Sequence, residues 1–163
     1  MTQDADDARP ALLTRAQSGP DLSTPPLATS CYFTYRRGWG TAVRITRSAP
    51  RGIGLPDSRF TDYASWPSVR ILQPGYDYFR KGLPPAQFRA RYLQTLDGFG
   101  PEAVAAALRS VPVEDGRLVL LCFEPSGPVI DDPDICHRRI FADWWEGKTG
   151  IAVPELTAVP TTP

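Results

Sequence analysis

The apolar positions along the chain follow three different rhythms, and each predicts a different kind of element. Residues 31–35, CYFTY, are short and rich in aromatic side chains, which suits a first buried strand. Arg36, Arg37, Gly38, Trp39 and Gly40 form a turn, and residues 41–46, TAVRIT, follow as a second strand stopped by Pro50 and Gly52. Residues 118–122, LVLLC, are an unbroken apolar run. Such a run, in place of alternation, marks a strand covered on both faces, as in the parallel sheets of α/β folds. Between these strands the rhythm changes to a helical one. Pro74 opens a short helix over 75–80, and the Pro84–Pro85 pair opens a better one in which Phe88, Tyr92 and Leu96 recur every fourth residue. Gly98 and Gly100 close it, and Pro101 with Glu102 starts another helix over 103–110. A final helix is capped by Asp134, faces the core with Ile140, Phe141 and Trp144, and ends at Gly147 or Gly150. Residues 151–153 predict a last edge strand. Residues 53–73 follow neither period, apart from short extended pieces around Phe60 and over 69–72.

This order of strands and helices around a central apolar strand predicts an α/β fold. The expected form is a single three-layer domain with a mostly parallel central sheet, Rossmann-like. Its limits fall at residues 29–156, between a loosely packed N-terminal tail over 1–28, rich in Asp, Thr, Ser and Pro, and a short C-terminal tail over 157–163. A length of 163 residues suits one domain with a sizeable core.

Charge narrows the function classes. Lys plus Arg and Asp plus Glu both number 18, so the whole molecule exerts no pull toward nucleic acid or a membrane surface, although a local basic patch stays compatible with this balance. No run of about 20 apolar residues is present, so no membrane span is expected. The acidic start, MTQDADDARPALL, lacks the apolar stretch of a secretory signal. Three cysteines, Cys31, Cys122 and Cys136, make no disulfide framework, and a reducing, cytoplasmic setting is the expectation.

The candidate chemistry gathers between residues 117 and 145. In open α/β sheets ligands bind beyond the carboxyl ends of the strands. Cys122 and Glu124 lie there on the central strand, and Arg47 and Ser48 lie at the corresponding end of the second strand. The first turn of the last helix carries Cys136, His137 and Arg138. Its unpaired N–H groups attract anions and favour a thiolate, and the adjacent imidazole can carry a proton near neutral pH. Cys122, Glu124, Cys136 and His137 are the candidate catalytic residues; Arg47, Ser48 and Arg138 are the candidate ligand-binding residues. Neighbouring Cys and His on one helix chelate poorly and no CxxC pair occurs, so neither metal nor cofactor is expected. Neither a phosphate-binding glycine loop nor a GxSxG motif is present.

At these residues the sequence resembles the bacterial and archaeal family known as domain of unknown function 488 (DUF488). The resemblance is carried by Leu121-Cys122-Phe123-Glu124 and Cys136-His137-Arg138, supported by Ser30-Cys31-Tyr32-Phe33 and by Ile45-Thr46-Arg47-Ser48-Ala49-Pro50. It covers about residues 29–156. It implies a compact α/β domain whose pocket is formed by those motifs, which adds Tyr32 to the ligand-binding residues. The family's usual associations imply a link to nucleotide or nucleic-acid transactions. Two departures stand out. Cys31 occupies a position where relatives tend to have Ser, and residues 125–135 form a longer and more acidic link, with Asp131, Asp132 and Asp134 opposing an anionic ligand.

Three readings fit these residues. The first is an enzyme acting on a nucleotide, a nucleic acid or a small anionic substrate. The second is a non-catalytic nucleotide- or nucleic-acid-binding module, to which Tyr35, Arg36, Arg37, Trp39 and Arg44 could add stacking and charge. The third is a structural protein with a buried polar network.

Overall fold

The computed structural model describes residues 20–47, 65–79, 82–123 and 136–157. Among the described residues, three strands form one parallel sheet: β1 (Leu27–Cys31), β2 (Thr41–Arg44) and β3 (Leu118–Cys122). Their order is β1-β3-β2, so the apolar LVLLC run is the central strand, as its composition predicts. Three helices are described: α1 (Tyr76–Phe79), α2 (Pro85–Arg109) and α3 (His137–Thr149), with a 3-10 turn over Arg70–Leu72. The fold is α/β.

Register assigns the two faces of the sheet. Leu27 pairs with Leu118, and Cys31 with Cys122; Thr41 also pairs with Leu118, and Val43 with Leu120. Leu27, Val43, Leu118 and Leu120 belong to one core that α2 and α3 cover with Tyr92, Leu96, Leu108, Ile140, Phe141 and Trp145. The alternate residues Ala28, Ala42, Val119 and Leu121 belong to a second core. Tyr32 and Tyr35 cover that face, with Trp39, Trp66 and Phe123 packed around them. The layers are therefore helices, sheet and aromatic loops.

Chain length explains why loops cover the second face. β1 and β2 run parallel with β3 between them, yet residues 32–40 alone connect them. A usual parallel crossover takes about a dozen residues or more and contains a helix. This shorter one crosses the sheet directly and packs it with Tyr35, whose hydroxyl donates to the Gly40 carbonyl at 2.7 Å. Gly40 ends the crossover at φ 143°, where an added Cβ would lie 2.9 Å from the Arg117 carbonyl oxygen. Only glycine lets the backbone approach β3 so closely.

The first strand lies four residues earlier than the aromatic pattern suggests. It ends at Cys31, whose carbonyl accepts from the N–H groups of both Thr34 and Tyr35 and so turns the chain. Aromatic residues are common in strands because they pack on sheets. Here Tyr32 and Tyr35 pack on the sheet from the crossover, without belonging to a strand. The expected edge strand over 151–153 is also displaced. Glu155 forms the bridge to Thr29, and Arg44 forms a matching bridge to Ser68 on the opposite edge. Both outer strands thus have their open N–H and C=O groups partly covered. Residues 21–23, placed within the expected N-terminal tail, are held to α2, where Arg109 Nη1 donates to the carbonyls of Asp21 and Ser23.

The helices follow their sequence signals. Tyr92 and Leu96 are buried, and Phe88 packs at the edge of the same core. The expected break falls at Gly100, with φ 78° and ψ 161°, immediately before Pro101. Proline cannot donate to the helical ladder, and glycine readily takes the left-handed turn. Helix α3 ends at Gly150 in the left-handed conformation, with its N–H donating to the Glu146 carbonyl. The expected capping residue Asp134 lies outside the described residues; Cys136 occupies the N-cap position, and no side-chain capping bond is made there.

Asp97 ties α2 to α3. It accepts from Trp144 Nε1 at 2.9 Å and faces Lys148 Nζ at 2.9 Å. The Trp144 hydrogen bond, then the Lys148 one, holds its carboxyl below the ordinary carboxylate value of 3.8. A depressed folded-state pKa contributes stability above the unfolded value, and that contribution is lost as pH falls through the folded one. Asp97→Asn is therefore expected to lower the denaturation midpoint at pH 7. The gap to the parent protein should begin to narrow as pH falls below the unfolded carboxyl value of about 3.9, and close only below the lower folded one. Urea titrations of both proteins across that range check it.

Candidate functional site

The carboxyl ends of the parallel strands and the first turn of α3 meet at one edge of the sheet. β3 ends there with Cys122, and α3 begins there with Cys136, His137 and Arg138. Cys122 Sγ and Cys136 Sγ lie 3.5 Å apart. Arg138 Nη1 donates to both sulfurs, at 2.6 Å to Cys122 and 3.0 Å to Cys136. None of the three cysteines is in a disulfide.

The rest of the Arg138 guanidinium faces Glu155. Nε donates to both carboxylate oxygens, at 3.1 and 3.2 Å, and Nη2 donates to Oε1 at 2.9 Å. Thr29 Oγ1 donates to Oε2 at 2.6 Å, and Arg139 adds a longer ion pair at 3.6 Å. A planar, permanently charged guanidinium suits this forked contact. Arg138 is fully buried, so burial pulls its pKa down. The Cys122 sulfur, the Glu155 hydrogen bond and Cys136 outweigh that pull, and the group stays charged. The charge sequence is carboxylate, guanidinium, sulfur pair.

His137 points elsewhere on the same turn. Its Nε2–H donates to the Ile45 carbonyl at 3.0 Å, and its ring lies edge-on to Tyr92 with centroids 5.8 Å apart. Tyr92 is buried beside the cysteines and donates to the Leu72 carbonyl at 2.6 Å. Burial pushes its phenol well above the ordinary value, with Tyr78, Cys122 and Cys136 adding to the rise, so it stays neutral.

Of the remaining expected residues, Tyr32 and Arg47 follow the carboxyl ends of β1 and β2. Tyr32 is buried, bonds Thr46 Oγ1 through its hydroxyl at 2.8 Å, and lies edge-on to Phe123. Arg47 is exposed; its Nε donates to the Pro74 carbonyl and its guanidinium lies over the Tyr76 ring at 5.5 Å. Glu124 and Ser48 lie outside the described residues. Among the described residues, no group of three or more His, Cys, Asp or Glu side chains is placed to hold a metal ion.

The sulfur cluster is covered. Cys122 and Arg138 are 0% exposed, Cys136 1% and His137 2%. Among the described residues, one surface cleft reaches Glu155, beside Trp39, Arg117 and Leu156, and others lie farther away. One of about 560 Å³ is lined by Arg37, Thr41, Trp66, Glu114 and Asp115, at the amino ends of β2 and β3. Its acidic pair opposes a phosphate, and the neighbouring aromatic and basic residues are largely used in packing. Tyr35 is buried against the sheet, and Arg44 Nε donates to the Trp66 carbonyl.

Glu155 is the residue that sequence reasoning missed. It follows Pro154 in an extended, proline-containing stretch, and its partner Arg138 lies in the first turn of the preceding helix. The available signal was a lone carboxylate between Val153 and Leu156. Val153 is buried, and Glu155 and Leu156 are half-buried. No described helix is long and apolar enough to cross a membrane. No family model matches the chain, and neither a curated protein nor a solved structure is found to be similar to it.

Proposed function

We propose that the protein is a DUF488-like enzyme that works through a Cys122 thiolate on a small anionic or nucleotide-type substrate. The observation that supports this is the bridging position of Arg138 Nη1, within 3.0 Å of both sulfurs. A positive charge beside a thiol favours its ionised form, and the thiolate is the nucleophile. Glu155 fixes the guanidinium from the far side, so its charge stays aimed at the sulfurs. Cys136, at the N-cap of α3, adds the field of a helix N-terminus.

His137 is the proton carrier in this reading. Donation from Nε2 to the Ile45 carbonyl sets its tautomer and leaves Nδ1 as the basic nitrogen. The donors of Arg138 already face Glu155 and the sulfurs, so anion recognition falls to exposed Arg47 at the same edge. Covered sulfurs also restrict the reactant to a small one.

Alkylation kinetics test the proposal. Native protein treated with iodoacetamide at pH 7 should be modified at Cys122 at least about tenfold faster than an ordinary thiol of pKa near 8.5 allows. Peptide mapping locates the adduct, and Arg138→Lys should slow it. Modification of all three cysteines only after unfolding would defeat the proposal.

A further inference from the structure

Two features have no part in the proposed function: the cleft beside Trp66 and the pairing of a second thiol, Cys136, with Cys122. The second carries further, because a nucleophilic thiolate alone does not call for another sulfur in van der Waals contact.

We propose that Cys122 and Cys136 form a dithiol–disulfide couple whose oxidising co-substrate is hydrogen peroxide. The proposal deepens the enzyme reading and shares its Cys122 thiolate. It rests on three observations made together. The sulfurs are 3.5 Å apart, so a bond of about 2.05 Å needs only a small side-chain adjustment. Arg138 Nη1 lies nearer to Cys122, at 2.6 Å, than to Cys136, at 3.0 Å, which makes Cys122 the attacking sulfur and Cys136 the resolving one. Both sulfurs are covered, at 0% and 1% exposure, which favours a small neutral oxidant over a bulky disulfide.

The Cys122 thiolate attacks one peroxide oxygen; a sulfur–oxygen bond forms and the oxygen–oxygen bond breaks. The departing hydroxide takes a proton from solvent and becomes water, leaving a sulfenic acid on Cys122. The Cys136 sulfur then attacks the Cys122 sulfur. A sulfur–sulfur bond forms, the sulfur–oxygen bond breaks, and the leaving hydroxide takes the Cys136 proton as the second water. The two sulfurs lose two electrons between them, and one peroxide is reduced to two waters. Arg138 then loses its strongest sulfur acceptor and keeps Glu155.

Cys31 is the internal rival. It pairs in register with Cys122 on the neighbouring strand, and its own sulfur lies 3.2 Å from Thr34 Oγ1. Adjacent strands lie about 4.8 Å apart. A Cys31–Cys122 link is therefore the alternative product to look for.

The test treats the reduced full chain with hydrogen peroxide, and in parallel with glutathione disulfide. Intact mass and non-reducing peptide maps follow. Loss of two hydrogens with a Cys122–Cys136 link, rapid with peroxide and at least tenfold slower with glutathione disulfide, is the expected result. Cys136→Ser should abolish the loss and leave a Cys122 sulfenic acid that dimedone traps; Cys31→Ser should leave the link intact. No loss of hydrogens in the parent protein, a Cys31–Cys122 link, or equal rates with both oxidants would overturn the couple. The parent protein decides this even if the variants fold poorly. Fast alkylation of Cys122 with no disulfide overturns the couple and leaves the nucleophile reading standing; absence of both removes the two together.

Discussion

Replacing Arg138 with leucine should lower the stability of the fold by about 3–5 kcal/mol, the usual result of breaking a buried ion pair from one side. The cost has a definite origin. Glu155 has a side chain only 10% exposed, and its two oxygens accept three hydrogen bonds from Arg138. Leucine keeps much of the bulk and leaves a carboxylate without its main counter-charge. The double variant Arg138→Leu with Glu155→Leu should recover a large part of the loss, because it removes both charges from a covered site. Equilibrium urea denaturation of the parent, the two single variants and the double variant gives the coupling directly. Additive losses from the two single changes would show that the pair does not act as a unit.

The same variants separate a structural network from a reactive one. If the polar cluster only holds the fold, Arg138→Lys lowers stability and leaves the Cys122 alkylation rate unchanged under native conditions. If the guanidinium sustains the thiolate, the rate falls as well, because an ammonium group is a point charge and cannot reach Glu155 and both sulfurs in one plane. Stability and sulfur reactivity are different readouts, so neither result can stand in for the other.

How much of this was legible in the sequence varies by residue. The LVLLC run revealed the central strand because a strand covered on both faces has no polar side, and the break at Gly100–Pro101 was visible because both residues interrupt a helix for backbone reasons. The meeting of Cys122 with Cys136 and Arg138 followed from a general property of parallel sheets, whose strand ends face the starts of the following helices. The first strand was misread because aromatic side chains advertise contact with a sheet, whatever conformation delivers them. Tyr32 and Tyr35 make that contact from a crossover too short to contain a helix. Glu155 was not legible, because its role depends on where the chain runs after α3, and no local pattern encodes that. The position of the His137 ring is of the same kind. Its partner is a backbone carbonyl at Ile45, and any residue type can supply one.

Trp145→Ala is expected to cost about 3–5 kcal/mol, and Trp145→Phe only roughly 1–2 kcal/mol. Trp145 is fully buried on α3 and stacks against Phe141 with ring centroids 6.0 Å apart. Alanine empties that space, and neighbours in a close-packed core relax only partly into it. Phenylalanine keeps an aromatic surface for Phe141. It also removes an indole N–H that is buried and has no hydrogen-bond acceptor among the described residues, so no bond is lost with it. Thermal unfolding of the two variants checks the contrast; equal losses would mean that the indole nitrogen contributes a bond. The effect reaches the sulfur site through the helix. Trp145 anchors the same helix whose opening turn supplies Cys136 and Arg138. In Trp145→Ala the N-terminal turn loses part of its support, and Cys136 should become reachable by alkylating agents faster than in the parent. Trp145→Phe should keep the parent rate, since the helix stays seated.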